Sequence, residues 1–297
     1  MTEHKADVGR GITLVYERFG DPGAQPLLLI AGLGQQLHSW PTEFCEQLAG
    51  RGYQVVRFDN RDVGASTHAR FRPPSLPAML LGRFPPQQYD LADLAHDTAG
   101  LLDVLGFDAA HLVGVSMGGM IAQTVAALHP ARARTLTSIM STTGTRLAGL
   151  PAWSTWRLLG ARPPRTRDEA IEHTVRIFRH IGSHGFPFDE PFVRELAQRD
   201  WARDPSSAGT GRQLAAILRS GNRARQLHSI TAPTLVVHGD RDRMVHPTGA
   251  LATARAIRGA RRATIRGMGH DLPRGAWPVL LDLISEHASV GSADAKA

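Results

Sequence analysis

Along most of the chain, short apolar runs alternate with stretches whose apolar positions recur every three or four residues, the pattern of strands interleaved with helices. Residues 26–30 (PLLLI), 53–58 (YQVVRF), 110–113, 136–140 and 234–237 are nearly continuously apolar, as strands covered on both faces must be. Residues 11–19 (GITLVYERF) alternate with period two and run into Gly20-Asp21-Pro22-Gly23, so they read as the edge strand of a hairpin followed by a turn. Helical spacing covers 43–49, 91–105, 117–128, 251–257 and 276–287. The alternation predicts the α/β class, with a mostly parallel sheet and helices on both of its faces.

Two regions depart from simple alternation. Residues 67–88 hold Pro73, Pro74, Pro77, Pro85 and Pro86 and form a connection longer than most loops without a task. Residues 142–229 are helical in pattern and interrupt the strands, which predicts a helical cap inserted into a core made of 1–141 and 230–290. Trp153, Trp156, Phe178, Phe186, Phe188 and Phe192 give that cap an apolar face, and packing of the cap on itself is the plainest use for it. The polar end of the chain, 291–297, is expected to be a disordered tail.

With 42% hydrophobic residues, 297 residues can bury a sizeable core. The single cysteine, Cys45, excludes an intrachain disulfide framework and a cysteine-rich metal site, and it reads as a buried thiol in a helix of a cytoplasmic protein. Nothing resembles a signal peptide or an 18-residue apolar span, so stable membrane insertion is not expected. The net charge of +7 is carried almost entirely by arginine, and residues 141–230 alone hold 14 Arg against 8 Asp plus Glu. Without like-charge runs or a nucleic-acid motif, this does not indicate nucleic acid. Either the excess steers an anionic substrate to the cap, or it consists of solvated surface arginines.

The stretch HLVGVSMGGMIAQ places Ser116 between a strand and a helix, with Gly114 and Gly118 two residues to either side. That is the G-x-S-x-G nucleophile elbow in its required context, where a strained turn exposes the hydroxyl. A serine hydroxyl needs a base, and His270, in Gly267-Met268-Gly269-His270 between a short strand and the last helix, can reach back over the carboxyl ends of the strands. His111 and His238 abut apolar strands and read as structural. The base needs a carboxylate, and GDRDRMVHP offers Asp240 and Asp242. Met117, next to the serine, supplies one N–H for an oxyanion.

From about residue 12 to 287 the arrangement resembles the α/β-hydrolase superfamily, whose chain order is nucleophile, acid, histidine. The resemblance implies an eight-stranded sheet, Asp242 as the acid by its spacing from Gly239, and Leu33 of Ala31-Gly32-Leu33-Gly34 as the second oxyanion donor. Ala31 stands where the family usually has histidine, and Asp62 replaces a glycine in the turn Asp59-Asn60-Arg61-Asp62-Val63-Gly64, whose Asp59 and Arg61 read as structural. Trp40 falls where relatives place an aromatic near the site, and Met268 joins it as a candidate substrate contact.

Ser116 excludes the epoxide hydrolases and haloalkane dehalogenases of this fold, which need an aspartate nucleophile. The turn, the GLG segment and GMGHDLP are similar to esterases of the aclacinomycin methylesterase type and to mycobacterial lipases. The expectation is a carboxylic ester hydrolase acting on a small-molecule ester, with no metal and no cofactor. Carbon–carbon bond hydrolysis, cofactor-free perhydrolysis or haloperoxidation, and non-enzymatic ligand binding stay open, as does homodimerisation.

Overall fold

The computed structural model describes residues 2–159 and 164–293. In chain order the strands are β1 (His4–Asp7), β2 (Thr13–Phe19), β3 (Gln25–Ile30), β4 (Tyr53–Phe58), β5 (Ala110–Val115), β6 (Ala133–Ile139), β7 (Thr234–Gly239) and β8 (Arg261–Ile265). The helices are α1 (Thr42–Ala49), α2 (Leu76–Leu80), α3 (Leu91–Leu105), α4 (Met117–Leu128), α5 (Trp153–Leu159), α6 (Arg167–Ile181), α7 (Glu190–Arg203), α8 (Ala208–Ser220), α9 (Ala224–Leu227), α10 (Thr248–Ala256) and α11 (Trp277–Ala293). The sheet order is β1-β2-β4-β3-β5-β6-β7-β8, with β1 and β2 antiparallel and the other six strands parallel.

The continuously apolar strands serve two layers at once. Leu28, Ile30, Val56, Leu112 and Leu136 face α3 and α4, whereas Leu27, Leu29, Val55, Val113 and Val237 face α1 and α11. Each of these side chains is buried, worth about 2 kcal/mol per large aliphatic residue. Cys45 packs in the second layer, where burial pushes its thiol up to about 12. The bounds of α3 have local causes: Asp90 and Asp93 form a reciprocal cap at its start, and Gly106, at φ 71°, ends it in the left-handed region.

Three expectations need correction. Residues 11–19 contain a strand, but it is not the edge, because β1 pairs outside it. His4–Asp7 is short and largely exposed, so it lacks the apolar pattern that reveals buried strands. The Pro-rich connection contains a short helix, α2, whose start Ser75 caps. The last helix runs on to Ala293, into the part assigned to the tail, while 294–297 lie outside the described residues.

Helices α5 to α9 all lie between β6 and β7. Arginines of this segment turn inward. Arg203 meets Asp59 at 2.9 Å, Arg212 forks onto Asp62 at 2.7 and 2.8 Å, and Arg223 donates to the Thr142 carbonyl at 2.7 Å. Arg179, Arg194 and Arg199 pair at the surface with Glu190, Glu172 and Glu195. Much of the positive excess therefore fastens these helices to the core or to each other. Asp62 sits at φ 73°, where a glycine is the unstrained choice, and accepts from Arg212, Tyr89 Oη and the Ala69 N–H, which offset that strain.

Beside Arg203, the half-buried Asp200 has its Oδ1 without a partner. Burial and the Asp59 charge raise its pKa to about 7. Between the ordinary carboxylate value near ~4 and about 7, the folded protein holds a proton that the unfolded chain has released, so stability falls as pH rises through that window. Asp200→Asn removes this slope. Its Tm should exceed the parent's by a margin that grows from pH 5 to pH 8, to roughly 5 °C. A margin independent of pH would show that Asp200 carries no such shift.

Candidate active site

Ser116 sits between β5 and α4 at φ 56°, ψ −118°, a conformation that costs a side-chain-bearing residue about 1–3 kcal/mol. Bonds on both sides hold it: Ser116 N–H donates to the Ile139 carbonyl at 2.9 Å, and Met120 N–H donates to the Ser116 carbonyl at 3.1 Å. The flanking glycines are steric necessities. A Cβ on Gly114 would strike the Gly118 backbone, and one on Gly118 would strike the Ile30 and Ala31 carbonyl oxygens. Gly119 is a third, pressed against Ser141. A serine at a helix start ordinarily turns its hydroxyl onto the first free N–H groups. Ser116 makes no such cap, and among the described residues its hydroxyl has no partner.

His270 follows β8 and is held through its backbone, its N–H donating to the Ile181 carbonyl at the end of α6 at 2.8 Å. Its Nδ1 lies 2.7 Å from Asp242 Oδ2, and its Nε2 has no partner among the described residues. Asp242 follows β7. Its Oδ1 accepts from the Met244 and Val245 N–H groups, both at 2.8 Å. Burial opposes ionisation of this carboxyl, but His270 and His238 outweigh it and hold the pKa well below the usual carboxylate range. Asp240 turns elsewhere, accepting from the Gly267 N–H at 2.6 Å, so it ties down the histidine loop while Asp242 meets the imidazole.

Sequence reasoning reads His238 as structural and misses its contact with the acid. Its Nε2 donates to the Val245 carbonyl at 2.8 Å and lies 3.2 Å from Asp242 Oδ2. The signal was its place at the carboxyl end of β7, four residues before the acid. His111 is structural as expected, bridging Thr135 and Gln25.

The loop after β3 leaves one donor open. Gly32 N–H donates to Gln35 Oε1 at 3.0 Å and Gly34 N–H to Gln213 Oε1 at 2.9 Å, whereas Leu33 N–H has no acceptor among the described residues. Met117 N–H, at the start of α4, has none either. The loop lies against the serine, since a Cβ on Gly32 would come 3.4 Å from Ser116 Cβ.

A cleft of about 70 Å³ is lined by His270, by Val115 and Met140 from the ends of β5 and β6, and by the rings of Trp40, Phe178, Phe188, Phe192 and Trp277. Met140, at φ 49°, is a second strained residue at the end of a strand. Trp40 lines the cleft and also packs on Phe44, with ring centroids 5.7 Å apart. Met268 does not line the cleft. It is fully buried in the core, and its carbonyl accepts from the Arg241 N–H at 2.9 Å, so it packs the histidine loop onto β7. Phe178, Phe188 and Phe192 serve the cleft and also pack against Ile171, Val175 and Val193. Phe186 joins the core, Trp153 is 81% exposed, and the Trp156 side chain lies outside the described residues. Among the described residues no helix is long and apolar enough to cross a membrane, and no cluster of His, Cys, Asp and Glu is placed to hold a metal ion.

Residues 25–273 match the family model described as the alpha/beta hydrolase fold. The chain is 32% identical to rhodomycin D methylesterase DauP of Streptomyces sp. strain C5 over 93% of its own length and 95% of that protein's. The corresponding Streptomyces peucetius methylesterase, DnrP, matches at the same identity over the same shares. Among solved structures, the enol-lactonase of Burkholderia xenovorans LB400 superposes with a TM-score of 0.74 at 20% identity, covering 96% of this chain and 100% of that one. Esterase RhEst1 of Rhodococcus sp. ECU1013 superposes at 0.76 and 19% identity, covering 97% and 99%. The two structures share the fold, and with the family match across most of its length this chain belongs to the α/β-hydrolase family.

Proposed function

We propose that the protein hydrolyses carboxylic esters through Ser116, His270 and Asp242, with residues 142–229 as a cap over the site. The observation that carries the reading is the set of unpartnered groups around one turn. Among the described residues Ser116 Oγ, His270 Nε2 and the Leu33 and Met117 N–H groups have no hydrogen-bond partner, while the Gly32 and Gly34 N–H groups on either side of Leu33 and His270 Nδ1 are engaged. Asp242 fixes the imidazole so that Nδ1 bears the proton and Nε2 is basic. His270 then takes the Ser116 proton as Oγ attacks the ester carbonyl. Leu33 and Met117 donate to the oxyanion, a contribution of roughly 3–4 kcal/mol per donor in a site of this kind. The imidazolium protonates the leaving alkoxide, and water repeats the cycle on the acyl-enzyme.

The cleft supports an aromatic acyl group. Five rings line it, and Arg274 at its rim is stacked 4.8 Å from Trp277 while hydrogen-bonded to Asp189 at 3.2 Å. That arginine is committed to protein partners, which favours a neutral aromatic over an anion. The relatives are named as rhodomycin D methylesterases, which agrees with a small leaving alcohol. A methyl ester of a fused-ring aromatic acid should therefore show kcat/KM about 100-fold above methyl acetate, since aromatic burial contributes a few kcal/mol. Equal kcat/KM for the two esters would refute the aromatic preference, and hydrolysis of neither would refute the ester reading.

A further inference from the structure

We infer that Gln213, on helix α8 of the cap, is a positioning residue for the oxyanion hole. The inference rests on the reading of Leu33 and Met117 as the oxyanion donors.

The Gln213 side chain is fully buried and spans two loops of the core. Its Oε1 accepts from the Gly34 N–H at 2.9 Å, and its Nε2 donates to the Arg61 carbonyl at 2.8 Å. The chemistry of these partners fixes which end of the amide is which. Gly34 offers only a donor there and Arg61 only an acceptor, so the flipped amide would leave both unsatisfied. Gln35 holds Gly32 in the same way from the other side, at 3.0 Å. Between two engaged neighbours, Leu33 N–H has no acceptor among the described residues and lies beside the serine.

The clamp has a firm footing. Gly209, one turn before Gln213 on α8, packs so closely on the Asp62 carbonyl that a Cβ there would collide with it, and Arg212 forks onto the Asp62 carboxylate. Thr210 occupies the space that a side chain on Gly34 would need, and Gly34 takes the left-handed φ of 67° that this approach demands. The cap thus carries an amide that holds one half of the oxyanion hole in register with the nucleophile.

Gln213→Met keeps the volume and loses both hydrogen bonds. It should lower kcat about 50-fold, somewhat less than the roughly 10²- to 10³-fold cost of losing an oxyanion donor outright, while KM stays within about twofold. Affinity for an alkylboronic acid, whose tetrahedral adduct at Ser116 places an oxygen in the hole, should fall by about the same factor. Gln213→Glu keeps the bond from Gly34 but faces the Arg61 carbonyl with a second acceptor. It should lose about tenfold in kcat, and it carries the test by itself if the methionine variant does not fold. Ser220→Ala removes another cap-to-core bond from the same helix, the one accepted from the Leu91 N–H at 2.9 Å. It should lower Tm to a similar degree and keep kcat. Values of kcat and boronate affinity within about twofold of the parent in the Gln213 variants would overturn the inference. Turnover retained in Ser116→Ala would instead overturn the reading on which it rests.

Discussion

Ser116→Ala is expected to reduce ester turnover by at least about 10⁴-fold while leaving Tm within about 2 °C of the parent. The two halves of this expectation have separate causes. The hydroxyl has no hydrogen-bond partner among the described residues, so deleting it leaves no buried group there unsatisfied. Alanine keeps the Cβ that already occupies the turn, so no new strain enters at φ 56°. Catalysis by the proposed mechanism, in contrast, loses the atom that forms the acyl-enzyme bond. Some acceleration over water, on the order of 10³-fold, should survive from the oxyanion donors and substrate binding.

Asp242→Asn should cost about 10³-fold in kcat/KM and also lower stability at neutral pH. Three donors converge on the carboxylate, from Met244, Val245 and His270, and His238 Nε2 lies close enough to be a fourth. An amide must turn its NH₂ toward some of them, so His270 either loses its acceptor or takes the tautomer with Nε2 protonated, which cannot accept the serine proton. The pH dependence follows from the depressed carboxyl pKa. Its contribution to stability is complete above the ordinary carboxylate pKa near ~4 and is lost as pH falls toward the native value. The Tm gap between variant and parent should therefore be widest near neutrality and narrow below pH ~4. A gap of constant size would mean that the carboxylate charge contributes nothing.

The central strands and the triad candidates were legible for related reasons. Strands buried on both faces must be apolar throughout, and a tight strand-to-helix turn must carry glycines wherever backbone approaches backbone, as at Gly114 and Gly118. The loop position pointed to His270 and the family resemblance implied Asp242 over Asp240, and the fold joins the two at 2.7 Å. Strand β1 escaped notice because only one of its four residues is buried, so no periodicity marks it. Gln35, Gln213 and the contact of His238 with Asp242 were hidden for another reason. Gln213 reaches a loop 179 positions earlier in the chain, whereas Gln35 and His238 meet Gly32 and Asp242 only three and four positions away through loop conformations that no periodicity marks. Met268 was misread because the histidine loop lies near the cleft, yet its own packing turns this side chain into the core.

Mass spectrometry of the protein quenched in acid during steady-state turnover of an activated aromatic ester tests the central claim most directly. The account predicts the acyl mass on the peptide that carries Ser116, lost again when substrate is exhausted. Turnover with that peptide unmodified, or with the acyl group on another residue, would contradict it.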